Sequence, residues 1–341
     1  DGVRRCIEYP EDKVLSLTAE LKAVGRATRV PYKQLEKLRG RMRHAAIGIP
    51  GGRGLVSPLD RALNTTARWI DVRDNDELRD ALTDFRALLK IIATKPTHFK
   101  QLVADTPAFV GFNDASGRGA GGVWIPWMTE QHLEPVVWRV EWPPDITCDL
   151  ISFTNPQGRL TNSDLEMAAQ LLEFLALECL VDMHHVHAAS WCDNTPTVSW
   201  TNKLNSSKSR VAARLIRALA LRVMINAASP IISLSIAGTD NVMADVASRA
   251  FGPRNEWSDV HQHADDEFLL MFNARFPLPQ GGSWTMFQFP SRLTTLVISE
   301  LRKGPLNLGS WLRTSKNAGS IGRIGSNSPP TVVWSQNCKT H

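Results

Sequence analysis

The sequence predicts an α/β protein in which a mixed sheet flanked by helices follows a mainly helical segment. Three observations carry this expectation. Residues 1–105 repeat apolar side chains at helical spacing. Residues 109–127 hold two short apolar runs joined by small turn residues, the pattern of a hairpin. From residue 162 onward, apolar runs of strand length alternate with helical stretches, which adds parallel strands to the sheet through helical crossovers.

In the first segment, Val14, Leu15, Leu17, Leu21 and Val24 mark a helix over 11–27. Leu78, Leu82, Phe85, Leu88 and Leu89 mark another over 76–93. Between them, 32–48 is dense in positive charge, with Lys33, Lys37, Arg39, Arg41, Arg43 and His44, and it ends at the breaker 49–54. A solvated helical face accounts for such a stretch. So does contact with a nucleic-acid backbone, because cations along one helix release counterions from phosphates.

The hairpin runs from Phe109 to Asp114, turns through the glycine-rich 117–122 and returns from Val123 to Trp127. A third strand is predicted over 136–142, bounded by Pro135 and Pro143. The turn residues 155–158 lead to a helix over 162–179, and a strand over 188–193 is built like the first. In this arrangement Asp114 and Asp193 end neighbouring parallel strands, where open α/β sheets collect their active sites. Tryptophans 124, 127, 138, 142 and 191 read as core and strand-face residues.

The chain has 341 residues, 43% of them hydrophobic, enough for two or three structural units with a sizeable core. A net charge of +5 is compatible with a polyanionic partner without requiring one. The five cysteines, at 6, 148, 179, 192 and 338, form no CxxC pair, so neither a zinc ribbon nor a disulfide framework is indicated. The chain begins at Asp1 with no basic and apolar leader and holds no long apolar run. The expectation is an intracellular piece of something longer, cytoplasmic or nuclear, with no membrane span and no oligomeric state specified.

Four carboxylates stand out: Asp114 and Asp193 at strand ends, Glu166 early in the 162–179 helix, and Asp245 within Asn241-Val242-Met243-Ala244-Asp245-Val246-Ala247-Ser248-Arg249. Hydrolysing a phosphodiester in line needs an activated water and relief of charge on the leaving oxygen, and two Mg²⁺ ions about 3.5 to 4 Å apart supply both. Hard divalent ions prefer oxygen ligands. Without an ion, close carboxylates raise one another's pKa and disfavour folding.

Taken in order, these motifs resemble the ribonuclease H domain of a retroelement polyprotein, in the flavour of the DIRS-like retrotransposons. In that group polymerase and ribonuclease H regions precede a tyrosine recombinase. The resemblance is strong over 106–252 and weaker in the flanks. It implies a ribonuclease H-like mixed five-stranded sheet and cleavage of the RNA strand of RNA–DNA hybrids with two Mg²⁺ ions, Mn²⁺ being an alternative. Asp114 would bridge both ions, Glu166 and Asp193 would hold one, and Asp245 the other.

The resemblance also makes 1–105 a thumb- or connection-like segment, with an upstream reverse transcriptase domain as partner in the full polyprotein. Nothing in the chain resembles the aromatic-x-Asp-Asp palm motif. Integrases and transposases of related fold place a Glu after the second strand-borne Asp, whereas here no Glu follows Asp193 until Glu256. The chain departs from many ribonucleases H in one respect: the loop 237–240 before Asp245 carries no His. A catalytically inactive nucleic-acid-binding domain supporting the polymerase is the alternative.

Each acid has a second reading. Asp114 and Asp193 are favoured turn formers, and Asp245 suits the positive end of a helix begun near Asn241. Ser163-Asp164-Leu165-Glu166 matches a capping box that would occupy Glu166, and Asp164 and Asp240 compete as substitutes.

Between Asp193 and Asp240 there is no acid, while Lys203, Lys208, Arg210, Arg214, Arg217 and Arg222 are basic. This one-sign stretch suits a phosphate backbone. Lys203, Lys208 and Arg210, with Arg39 and Arg43, are the candidate nucleic-acid contacts. The His-rich 182–187 and 261–266 read as polar connections. Residues 253–341 read as a linker with short helices over 267–276 and 291–302, ending in a tail whose Gly, Ser, Asn and Pro content predicts disorder.

Overall fold

The computed structural model describes residues 5–94, 96–103, 105–127, 133–184, 186–206, 209–251 and 265–302; Lys208, His185, residues 261–264 and the tail from 303 lie outside them. The first segment runs β1 (Cys6–Ile7), α1 (Glu11–Arg26), β2 (Arg29–Pro31), α2 (Tyr32–Ala46), α3 (Ser57–Ala62), β3 (Trp69–Asp71), α4 (Asp76–Thr94) and β4 (Thr97–His98). The central part holds β5 (Phe109–Ala115), β6 (Gly119–Pro126), β7 (Val136–Glu141), α5 (Pro144–Cys148), α6 (Asn162–Leu180), β8 (Ala188–Cys192), α7 (Thr195–Lys203), α8 (Arg210–Ile225), β9 (Ile232–Ser235) and α9 (Val242–Arg249). Then come α10 (Asp265–Arg275), β10 (Thr285–Phe287) and α11 (Ser291–Leu301). Among the described residues no helix is long and apolar enough to cross a membrane.

The main sheet has six strands in the order β10-β7-β6-β5-β8-β9. Strands β5, β6 and β7 form an antiparallel meander, and β8 and β9 extend it in parallel from β5. The sequence reading anticipates five of these strands. The sixth, β10, pairs parallel with β7 and covers what would be an exposed edge. It has three residues, too few for a period-2 pattern to register.

Alternation along the strands sends Phe109, Trp124, Val136 and Trp138 to one face, where α6, α8 and α11 complete the core. Val123 and Val137 point to the other face, against α9, α10 and Trp284. Helix α6 is buried on all sides from Asp164 to Leu177, as expected of a helix apolar all round. Trp124, Trp138 and Trp142 are core residues as expected, but Trp127 is 65% exposed.

The first segment is not packed on its own. Its core, built from one face each of α1, α2 and α4, includes Ala220, Leu221 and Met224 of α8. The breaker after α2 makes this possible: Gly51 has φ 74°, and a Cβ there would lie 2.7 Å from the Ala220 carbonyl oxygen. Leu15 departs from the predicted stripe; it stands off the line through Val14, Leu17, Leu21 and Val24 and is 63% exposed. Two short ladders, β1–β4 and β2–β3, tie the helices together and escaped the sequence reading because of their length.

Candidate active site

The pairing of Phe112 with Trp191 in the parallel β5–β8 ladder sets the site's register. Two residues beyond each partner, Asp114 and Asp193 emerge at the same sheet edge. Side chains alternate at the end of β5. Asn113 turns to the α6 side, where its amide donates to Gln170 Oε1 (3.3 Å) and Ser190 Oγ (2.7 Å). Asp114 turns to α9 and accepts from Ser248 Oγ.

Helix α9 can lie this close because Gly121, directly opposite Asp114 on β6, has no side chain; a Cβ there would come within 2.4 Å of Ala247. The start of α9 is pinned by Asn241, which is buried and donates to the Asn113 carbonyl at 3.0 Å. Asp245 therefore faces the edge from α9, paired with Arg249 one turn on.

Glu166 arrives from the opposite layer. The capping box of α6 is formed two residues earlier than Ser163-x-x-Glu166 suggests. Thr161 is the N-cap: its side chain accepts from the Asp164 amide and its own amide donates to Asp164. Glu166 is thus free of capping duty, and Asp164, further tied to Ser209, is the residue that is spent. Asn162 donates to Glu166 Oε1 at 3.3 Å, while the buried Oε2 has no hydrogen-bond partner among the described residues. Asp240 is exposed beside Thr239.

The acids act on one another electrostatically. Burial pushes Asp114 up to about 6; the Ser248 hydroxyl opposes this, and the charges of Asp193 and Asp245 add to it. Burial, then Asp114 and Asp193, push Glu166 well above the usual carboxylate range, against the Ala115 and Asn162 amides. Asp193 is raised by burial and by Asp245. The cation set among them is Arg249: burial works to lower its pKa, but its bond to Asp245 and the charges of Asp245, Asp114 and Asp193 together raise it.

Glu166, Cys192 and Asp193 bring ligand atoms within 4.8 Å of one another and are the one group of metal-ligating side chains among the described residues. His184 and His187 belong to no such group. The carboxylates of Asp114, Glu166, Asp193 and Asp245 are the donor type that hard divalent cations take.

The sequence reading missed Ser248 and Arg249 as individual partners, Asn162, Asn241 and the thiol of Cys192. Asn162 and Arg249 left a local signal, since Asn162 stands four residues before Glu166 and Arg249 four residues after Asp245, each on one helix face.

The basic stretch is largely neutralised. Arg214 pairs with Glu300, Arg217 with Asp80 and Asp84, and the buried Arg222 with Glu178. The missing acids are supplied by other elements, so the one-sign field read from the sequence does not survive folding. Lys203 and Arg210 are exposed. Arg39 and Arg43 converge on Asp60, at 3.6 and 2.9 Å. Arg39, Asp60 and Arg61 line a cleft with Asn205, so the α2 arginines lie near the connection between α7 and α8.

No family model and no curated protein matches the chain. Among solved structures it is similar to LC11 ribonuclease H1 in complex with an RNA/DNA hybrid, at 14% identity over 41% of this chain and 92% of that one, with a TM-score of 0.30. It is similar to ribonuclease H1 from Halobacterium salinarum at 12% identity over 41% and 92%, with a TM-score of 0.28. A foamy viral protease-reverse transcriptase in complex with double-stranded DNA matches at 12% identity over 64% of this chain and 34% of that one, with a TM-score of 0.23. The class of the central domain is set by its own strand order: a mixed α/β sheet flanked by helices on both faces.

Proposed function

We propose that the central domain is a metal-dependent endoribonuclease that cleaves the RNA strand of RNA–DNA hybrids. The observation that carries this reading is the approach of four carboxylates from β5, α6, the end of β8 and α9: burial and the charges of Asp193 and Asp245 raise Asp114, burial and the charges of Asp114 and Asp193 raise Glu166, and burial and the charge of Asp245 raise Asp193. Two Mg²⁺ ions, or Mn²⁺, held by these four would activate water and relieve charge on the leaving oxygen. The chain's own residues orient the donors: Ser248 holds Asp114, Asn162 holds Glu166, and Asn241 fixes the start of the helix that carries Asp245.

Residues 1–105 are a thumb- or connection-like segment in this reading, and 106–252 the hydrolytic domain of a retroelement polyprotein, of the DIRS-like kind, with a reverse transcriptase upstream. The core shared with α8 supports a fixed placement of the first segment. Lys203, Lys208, Arg210, Arg39 and Arg43 are the proposed phosphate contacts. The Asp245–Arg249 pair favours a second reading, an inactive hybrid-binding domain, because it occupies one of the four carboxylates.

Cleavage of a labelled RNA–DNA hybrid by the purified chain with Mg²⁺ or Mn²⁺ separates the two. Hybrid-specific cutting that is absent on single-stranded RNA and lost in Asp193→Asn supports the enzyme. Salt-sensitive binding with no cutting supports the second reading.

A further inference from the structure

Cys192 is fully buried yet belongs to none of the three hydrophobic clusters. A buried free cysteine ordinarily behaves as a small hydrophobe. This one instead brings its Sγ within 4.8 Å of ligand oxygens of Glu166 and Asp193. The Asn194 amide donates to Sγ at 3.4 Å and Asn162 donates to Glu166 Oε1 at 3.3 Å, so both side chains are held in place by neighbours. A second, independent observation is the buried Oε2 of Glu166, which has no hydrogen-bond partner among the described residues although Glu166 is only 3% exposed.

We propose that Glu166, Cys192 and Asp193 form a mixed thiolate–carboxylate site for a borderline-soft divalent cation of the zinc and cadmium class. Thiolates select such ions, whereas carboxylates alone suit magnesium. Zinc takes sulfur at about 2.3 Å and carboxylate oxygen at about 2.0 to 2.2 Å, which puts donors on one tetrahedral ion about 3.5 Å apart. The three donors therefore need to close by roughly an ångström, with water completing the set. As the sulfur–metal bond forms, the thiol proton passes to solvent, so binding weakens as pH falls. Because Glu166 and Asp193 are shared, the soft ion and the hard ions of the proposed hydrolysis exclude one another. That competition rests on the proposed function; the binding does not.

The test is a titration of the metal-free full chain with cadmium chloride, following the ultraviolet thiolate-to-cadmium charge-transfer band. One equivalent should saturate it. Cys192→Ser and Cys192→Ala should each lose it, either being sufficient should the other misfold. A variant with Cys6, Cys148, Cys179 and Cys338 replaced by Ser should keep it. Glu166→Gln or Asp193→Asn should weaken binding at least about tenfold, the range seen when metal-site partners are removed.

A band that survives both Cys192 substitutions, or an affinity untouched by Glu166→Gln, overturns the proposal. Hybrid cleavage without a band in the unaltered chain also defeats it while leaving the function standing. A Glu166-dependent band without cleavage supports the site and removes the hydrolytic reading instead.

Discussion

The hydroxyl of Ser248 donates to the carboxylate of Asp114, tying α9 to the end of β5 across 134 residues of sequence. The bond favours the charged form of an acid that burial, Asp193 and Asp245 together hold near 6. Ser248→Ala removes this support, so the Asp114 pKa should rise further, and the acid limb of hybrid cleavage should move to higher pH. A carboxyl titration of the metal-free protein by NMR gives the shift directly; an unchanged Asp114 would show that the hydroxyl is not its partner in solution.

The same acids make metal-free stability fall as pH rises. A carboxyl whose folded pKa lies above its unfolded value binds more protons when folded, so stability is greatest below the unfolded value and is lost as pH rises through the folded one. For Asp114, the change from 3.8 to about 6 corresponds to on the order of 3 kcal/mol lost between about pH 4 and pH 7. Glu166 and Asp193 shift in the same direction. Metal-free protein should therefore melt lower at pH 7 than at pH 5, and Mg²⁺ should restore the difference by binding the charged forms. Asp114→Asn should raise the metal-free melting temperature at pH 7 while abolishing cleavage. Equal melting temperatures with and without Mg²⁺ at pH 7 would count against a metal site at these acids.

Asp164 and Glu166, two residues apart on α6, should separate stability from activity. Asp164→Ala removes half of the capping box and the contact with Ser209, and should cost about 1 to 2 kcal/mol by denaturant unfolding. Glu166→Gln removes a buried charge and should leave stability level or higher without metal, yet end cleavage. The reverse pattern would return Glu166 to the capping role.

This pair also shows what was legible in the sequence. Hairpin turns, apolar runs and helical stripes are local signals, and they gave β5, β6, β7, β8 and α6, with Asp114 on β5 and Glu166 on α6. The capping box was misplaced by two residues because Thr161-x-x-Asp164 and Ser163-x-x-Glu166 satisfy overlapping patterns, and only tertiary contacts choose between them. The partners of Arg214, Arg217 and Arg222 were invisible because Glu300, Asp84 and Glu178 reach them from distant elements. Strand β10 was lost to its length.

Arg217 of α8 and Asp84 of α4 form a buried ion pair between the first segment and the central domain. Burial holds Asp84 up to about 6, opposed by the Arg217 charge. Arg217→Met leaves Asp84 buried without its main cation and should cost about 3 to 5 kcal/mol, whereas pairing it with Asp84→Leu should recover most of the loss. Because the two parts share a core through Ala220, Leu221 and Met224, the unaltered chain should unfold in one transition by both fluorescence and circular dichroism. Two separated transitions would mean that the pair joins independently stable units.

The exposed cations should act on binding and the buried ones on stability. Lys203 closes α7, the helix that follows Asp193, and Arg210 opens α8, whose N-cap Ser209 bonds to Asp164 beside the start of α6. Both therefore belong to elements anchored at the edge where the acids meet. A lysine or arginine on a phosphate changes affinity for all sequences alike and contributes about one unit to the slope of log affinity against log salt. Lys203→Ala and Arg210→Ala should each flatten that slope for a hybrid by about one and leave the unfolding midpoint within about 0.5 kcal/mol of its starting stability. Arg214→Ala should do the opposite, because its partner Glu300 is buried. Arg43→Ala tests whether Asp60 already occupies the α2 arginines: an unchanged slope would assign Arg39 and Arg43 to holding α3, and would confine the phosphate contacts to Lys203, Lys208 and Arg210.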